Sequence, residues 1–140
     1  MSDKFPSFKI GDSAAQSKTV TEKDIEQFAA LIGDYNPIHM DEKFAKKTRF
    51  KGRIAHGVLA VGLISSVLGN QLPGPGTIYL SQTVKFLRPV RPGDTIKARA
   101  TILEIESSKR MITLKTDCFN QREECILEGE ARVLYDNIMG

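Results

Sequence analysis

A chain of 140 residues, 41% hydrophobic and 26% charged, has an ordinary globular composition, which excludes collagen-like, fully disordered and wholly membrane-embedded architectures. At this length one domain spanning residues 1–140 is expected, burying roughly two-thirds of the surface that the unfolded chain exposes. Twenty basic against 17 acidic residues leave a net charge of +3, which suits a phosphate-bearing ligand without demanding nucleic acid.

The N-terminal run Met1-Ser-Asp-Lys-Phe-Pro has no apolar segment of the kind a secretory signal carries, so a cytoplasmic protein is expected. Residues 5–20 alternate weakly and predict an opening strand or arm. Thr21-Glu-Lys-Asp24 reads as a capping box, in which the Thr21 hydroxyl and the Asp24 carboxylate each satisfy a free N–H. Behind it Ile25, Phe28, Ala29 and Ile32 fall on one helical face, and Gly33 is placed to end that helix. Asp41 can cap a further short helix beginning Glu-Lys-Phe44.

Gly57–Leu72 has hardly any polar face, which predicts a helix buried all round. Its apolar stretch, Val58 to Leu68, is too short to span a bilayer, which takes about 20 residues. Gly69-Asn70 and Pro73-Gly-Pro-Gly76 stop it.

From Thr77 the period changes to two. Ile78, Leu80, Gln82, Val84 and Phe86 lie on one face, and Arg91-Pro-Gly-Asp94 turns the chain into Thr95–Glu106. There the phase slips between Ile102 and Leu103, as at a β-bulge. Two more alternating runs follow, through Cys118 and through Tyr135. Short connections between them predict an antiparallel meander, and the class is α+β, a long sheet wrapped around one apolar helix. Cys118 and Cys125 match no zinc spacing and fall on apolar strand positions, so they are expected as reduced core residues, with no metal site.

The densest polar information lies between the helices. Asp34 and His39 stand five residues apart with Pro37 between them. Turn chemistry alone accounts for Asp, Asn and Pro here, and His39 would then only satisfy a backbone carbonyl. Acid–base work is the other reading, since histidine titrates nearest neutrality and a partly buried carboxylate can be tuned towards it. Arg53-Ile-Ala-His56-Gly57 opens the apolar helix. Gly57 lets a ligand approach a helix N-terminus whose unpaired N–H groups suit a developing oxyanion, or it is simply a tight start to a crowded helix. His56 is read as structural, fixing the loop.

Together, Asp34-x-Asn36-Pro37-Ile38-His39-x-Asp41, Phe44 and Arg53-Ile-Ala-His56-Gly57 resemble the signature of the MaoC-like, (R)-specific enoyl-CoA hydratases. The likeness continues through Leu72-Pro-Gly, Tyr79-Leu, Lys85-Phe86 and Pro89-Val-x-Pro-Gly-Asp94, with single-domain bacterial hydratases of polyhydroxyalkanoate synthesis the nearest in look. The resemblance implies a hot-dog fold and reversible hydration of trans-2-enoyl-CoA to (R)-3-hydroxyacyl-CoA. It implies that Asp34 and His39 are the catalytic pair, that the Gly57 N–H is the oxyanion donor, and that Asn36 and Ser65 help to hold the site.

The acyl tail is expected beside Leu63, Ile64 and Leu68 or the strand residues facing them, and the CoA phosphates near Lys85, Arg88 and Arg91. No cofactor is implied, because CoA belongs to the substrate. The family pairs such units as homodimers. Alternatives are a dehydratase acting on acyl-carrier-protein thioesters, a hot-dog thioesterase, and a non-catalytic acyl-thioester binding subunit. Nucleic acid and membrane are not expected partners, since no basic cluster interleaves with exposed aromatics.

Overall fold

The alternating segments after Thr77 become four strands, β2 (Thr77–Phe86), β3 (Thr95–Glu106), β4 (Met111–Phe119) and β5 (Cys125–Tyr135), and the opening arm supplies β1 (Ser13–Thr19). The computed structural model describes residues 5–136. Met1–Lys4, over which the reading of a missing signal extends, and the last four residues of the expected 1–140 domain lie outside the described residues. All pairings are antiparallel, in the order β1-β3-β4-β5-β2.

The expected meander holds for β3, β4 and β5 only. β2 does not lie beside β3; it pairs with β5 at one edge of the sheet, while β3 takes β1 as its other neighbour. Residues 87–94 are therefore a crossing segment rather than a hairpin turn. Val90 within it is buried, and its carbonyl accepts the Ala55 N–H at 2.7 Å. That packing holds the crossing down.

The bulge expected in β3 is present, with the register shifting between Ile102 and Glu104. A second bulge, between Tyr79 and Ser81 of β2, reverses the predicted face on its N-terminal side only, leaving Val84 on the side that the sequence pattern predicts. Tyr79 and Val84 pack on the core, whereas Ile78 and Leu80 are 45% and 49% exposed. Gly129 lets β2 and β5 come together, because a Cβ there would stand 1.8 Å from the Thr83 carbonyl oxygen.

Four α-helices are found among the described residues: α1 (Glu22–Ile32), α2 (Pro37–Met40), α3 (Glu42–Lys46) and α4 (Gly57–Asn70). The capping box of α1 forms as expected. The Asp24 N–H donates to the Thr21 hydroxyl at 3.1 Å, and the Thr21 N–H donates to the Asp24 carboxylate at 2.9 Å. Gly33 ends α1 in the left-handed region, at φ 77°. Ile25 and Ala29 are buried, but Ile32 on the last turn is 48% exposed, so the predicted stripe stops one turn early.

α4 lies against β1, β2, β3 and β4. Ala98 and Ala100 of β3 and Ala131 of β5 are fully buried on the core side, and such small side chains let a helix sit close to a sheet. The expectation of burial all round is corrected. Ala60, Ile64, Val67 and Leu68 are buried, while Gly57, Val58, Gly62 and Ser65 are exposed, because the sheet curls around one side of the helix. No helix among the described residues is long and apolar enough to cross a membrane. Both cysteines are free, but only Cys118 is a core residue; Cys125, at the start of β5, is half-buried.

Candidate active site

The site is built where α1 ends. Gly33 turns the chain, and the Asp34 N–H donates back to the Ala29 carbonyl at 3.1 Å. The Asp34 carboxylate accepts the Asn36 N–H at 3.2 Å, and the Asn36 side-chain oxygen accepts the Ile38 N–H at 3.1 Å. Asn36 is thus the N-cap of α2, with Pro37 at its first position, where the missing N–H costs nothing. This one-turn helix carries His39.

The second wall is the segment running from Arg53 into α4, which is bonded to the loop at successive residues. Arg53 Nε donates to the His39 carbonyl at 2.7 Å, and the Ile54 N–H donates to the Ile38 carbonyl at 3.2 Å. His39 Nδ1–H donates to the Ile54 carbonyl at 2.8 Å. The proton is assigned to Nδ1 because the partner is an acceptor only, which leaves the lone pair of the neutral ring on Nε2. Burial holds the His39 pKa below the usual histidine value, and the neighbouring His56 adds to this. The Ile54 carbonyl and the Asp34 carboxylate oppose it.

His56 is buried, donates Nε2–H to the Asp34 carbonyl at 3.0 Å, and stacks on the His39 ring with centroids 3.9 Å apart. Next in the chain, Gly57 is the first residue of α4, and no side chain caps this end. The leading N–H groups of a helix have no intrahelical partner and carry the positive end of its dipole. A Cβ on Gly57 would meet the Phe86 ring at 2.7 Å.

Asp34, His39, His56 and Gly57 line one cleft of about 680 Å³, with Ala55, Ala60, Phe86, Val90 and Leu127 among its apolar walls. Arg49 and Arg88 also line it and are exposed, which puts both at its mouth. The arrangement offers a carboxylate, an unprotonated imidazole nitrogen and free helix N–H groups to one bound molecule. Donor atoms of Asp34, His39 and His56 lie within 4.8 Å of one another. Two stacked imidazoles, with His39 Nδ1 and His56 Nε2 already committed to carbonyls, do not converge on one point as ligands of a tetrahedral metal do.

The structure thus brings Asp34, His39 and Gly57 together, with Asn36 building the turn beneath them. The expected substrate-binding residues divide. Arg88 lines the cleft, but its Nη1 donates to the Cys125 carbonyl at 3.0 Å and its Nε lies 3.9 Å from the Glu124 carboxylate. Lys85 lines a different hollow, with Thr83 and Glu128. Neighbouring strand residues point to opposite faces, so Phe86 in the cleft puts Lys85 outside it.

Arg91 is held by a hydrogen bond to the Phe50 carbonyl. Leu63 lines a separate groove with Phe28 and Leu31, and Leu68 and Ile64 are core. Ser65 sits on the exposed side of α4, away from the cleft. The sequence reading missed Arg49 and Phe86. Phe86 has a signal in the alternation of β2; Arg49, in a loop, has none.

The model of the MaoC like domain matches residues 8–119. The chain belongs to the MaoC-like family. An (R)-specific enoyl-CoA hydratase of Rhodospirillum rubrum is 47% identical over 130 residues, covering 93% of this chain and 90% of that protein. A 3-hydroxybutyryl-CoA dehydratase of Methylorubrum extorquens is 42% identical, covering 92% and 82%. Among solved structures, the (R)-hydratase of Aeromonas caviae involved in polyhydroxyalkanoate biosynthesis superposes with a TM-score of 0.89 at 39% identity, covering 93% of this chain and 98% of that one. The sheet curled around α4 is the hot-dog fold that the resemblance implies. In this MaoC-like chain the matched residues include both halves of the site, the 34–41 loop and the start of α4.

Proposed function

We propose that the chain is an (R)-specific enoyl-CoA hydratase, adding water reversibly across trans-2-enoyl-CoA. The observation that carries this reading is the convergence of the Asp34 carboxylate, His39 Nε2 and the uncapped start of α4 at Gly57 on one cleft. Asp34 and His39 hold one water between them on one face of the substrate. The neutral His39 takes a proton from it as the hydroxyl adds to C3, and the enolate charge collects on the thioester oxygen beside the Gly57 N–H. The imidazolium then returns its proton to C2, so the elements of one water are added and the imidazole is regenerated. Removing one such oxyanion donor typically costs about 3–4 kcal/mol of transition-state stabilisation.

This chemistry needs neither metal nor redox cofactor, since CoA is part of the substrate. Arg49 has no ion-pair partner among the described residues, so it is the freer cation for a CoA phosphate, with Arg88 also lining the cleft. We propose a cytoplasmic homodimer, and, by analogy with the A. caviae hydratase involved in polyhydroxyalkanoate biosynthesis, a supply of (R)-3-hydroxyacyl-CoA to polymer synthesis.

The test mixes the protein with crotonyl-CoA and follows loss of the conjugated enoyl absorbance, coupled in turn to (R)- and (S)-specific hydroxyacyl-CoA dehydrogenases. Signal through the (R) enzyme alone is expected. His39→Gln should lower turnover by about 10²–10⁴-fold, the usual worth of a general acid or base, and Asp34→Asn, which weakens the hold on the water, should lower it as well. Near-normal turnover in either variant would sink the assignment. Release of free thiol would indicate a thioesterase, no reaction a binding subunit, and turnover only on carrier-protein thioesters the dehydratase alternative.

A further inference from the structure

His56 is 2% exposed, and its ring is occupied on every side but one. Nε2–H is given to the Asp34 carbonyl at 3.0 Å; one ring face lies on His39 with planes 29° apart; Phe28 meets the ring edge-to-face at 5.1 Å between centroids. Nδ1 is buried without a hydrogen-bond partner. An unpaired buried nitrogen is a net loss to stability, and a phenyl ring would fill the same space without it. What the imidazole supplies and a phenyl ring cannot is the hydrogen bond to Asp34.

The position in the fold points the same way. His56 is the N-cap of α4, where Ser, Thr, Asp or Asn ordinarily folds its side chain over the first N–H groups. Here the side chain makes no cap and turns back to the 34–39 loop, so those N–H groups stay open to the cleft. One residue therefore touches the main chain of the carboxylate and the ring of the base, and its own peptide bond leads to the oxyanion donor. Its neighbours in the strap, Arg53 and Ile54, bind the backbone or ring of His39, but neither reaches Asp34.

We infer that His56 is a positioning residue: it sets the Asp34 carboxylate and the His39 ring in register with the Gly57 N–H, by a hydrogen bond to the main-chain carbonyl of Asp34 and a stack on the His39 ring. The inference rests on the proposed roles of those three groups, and it assigns His56 no contact with substrate. The charged and titratable groups around His39 are Asp34 and His56, Arg53 bonded to its carbonyl with Glu22 3.7 Å from Arg53, and Arg49 and Arg88, which line the same cleft. Among these, His56 alone stacks on the ring.

The test uses His56→Phe, which keeps a ring in the stack but loses the donor, and His56→Gln, which keeps an N–H but loses the stack. In both, kcat on crotonyl-CoA should fall about 10²-fold, the scale of a displacement of about 1 Å among reacting groups, with KM little changed. The chain has only two histidines, so in His56→Phe the one remaining imidazole resonance reports His39 directly. Its titration midpoint should move from the value in the unaltered protein, because the ring stacked on it has been replaced.

Wild-type kcat with an unmoved His39 midpoint in the folded His56→Phe protein would overturn the inference. So would a loss of activity no larger than the loss of folded protein by circular dichroism. If the unaltered protein shows no hydratase turnover, the reaction proposed above fails, while the His39 resonance still tests the link from His56.

Discussion

At the scale of single residues, the site depends on which nitrogen of His39 is free. The Ile54 carbonyl takes the Nδ1 proton, and burial makes the charged ring less favourable than it is in water. Burial keeps the ring neutral and the Ile54 bond decides which nitrogen then carries the lone pair, Nε2, so no other residue need deprotonate it first. The sign of the pH dependence follows. The proposed mechanism requires neutral His39, and its pKa lies below the ordinary value of about 6.5, so kcat/KM should stay level as pH falls through that value and decline only further down. A pH–rate profile on crotonyl-CoA from pH 8 to pH 4.5, roughly bracketing that range, checks this; an acid limb at or above about 6.5 contradicts it. The same shift acts on stability. The unfolded chain takes up this proton first as pH falls, so the contribution of His39 to folding is fully present above about 6.5 and shrinks below it, towards the lowered folded value.

At the scale of elements, the start of α4 does two things at one residue. Gly57 offers an N–H to the cleft and leaves room for the Phe86 ring, and two substitutions separate these roles. Gly57→Ala keeps the N–H but sets a Cβ 2.7 Å from that ring, which must swing aside and change the wall of the cleft. Gly57→Pro deletes the N–H at the first helical position, where proline is tolerated, and His56 already has the extended backbone that a following proline requires, at φ −60° and ψ 129°. Measured against the Ala variant, the Pro variant should lose a further 10²–10³-fold in kcat, the usual worth of one oxyanion donor. Equal kcat in the two would remove the Gly57 N–H from the chemistry.

The same elements show what could be read from sequence. The Asp34-to-His39 loop was legible because its geometry is local: the side chains of Asp34, Asn36 and Asp41 each accept a backbone N–H within a few residues, and Pro37 opens the one-turn helix. The bulge of β2 was not, because Tyr79 and Leu80 are both apolar and either phase fits an alternating pattern. Nor was the pairing of β2 with β5, which depends on the contact of Val90 with Ala55 far along the chain. Arg49 and Phe86 reach the cleft from separate segments, and only the folded chain brings them to His39.

At the scale of the whole molecule, the two sheet edges differ. β1, Ser-Ala-Ala-Gln-Ser-Lys-Thr, is short and polar, as an edge in water should be. β2 is ten residues long and carries Ile78 and Leu80 outward, and such an edge invites a further strand unless something covers it. α4 is likewise open along Val58, Gly62 and Ser65 when the chain is taken alone, although its composition suits burial on every side. Both features call for a partner, and the proposed homodimer supplies one if the β2 strands of two copies pair across a twofold axis. Leu80 is the residue to change, since its side chain is exposed and its removal disturbs no core contact within the chain. Sedimentation of Leu80→Lys should show a folded monomer under conditions where the unaltered protein sediments as a dimer. A Lys variant that remains dimeric would move the interface off this edge, and an unaltered protein that sediments as a monomer would leave both open faces without the second copy.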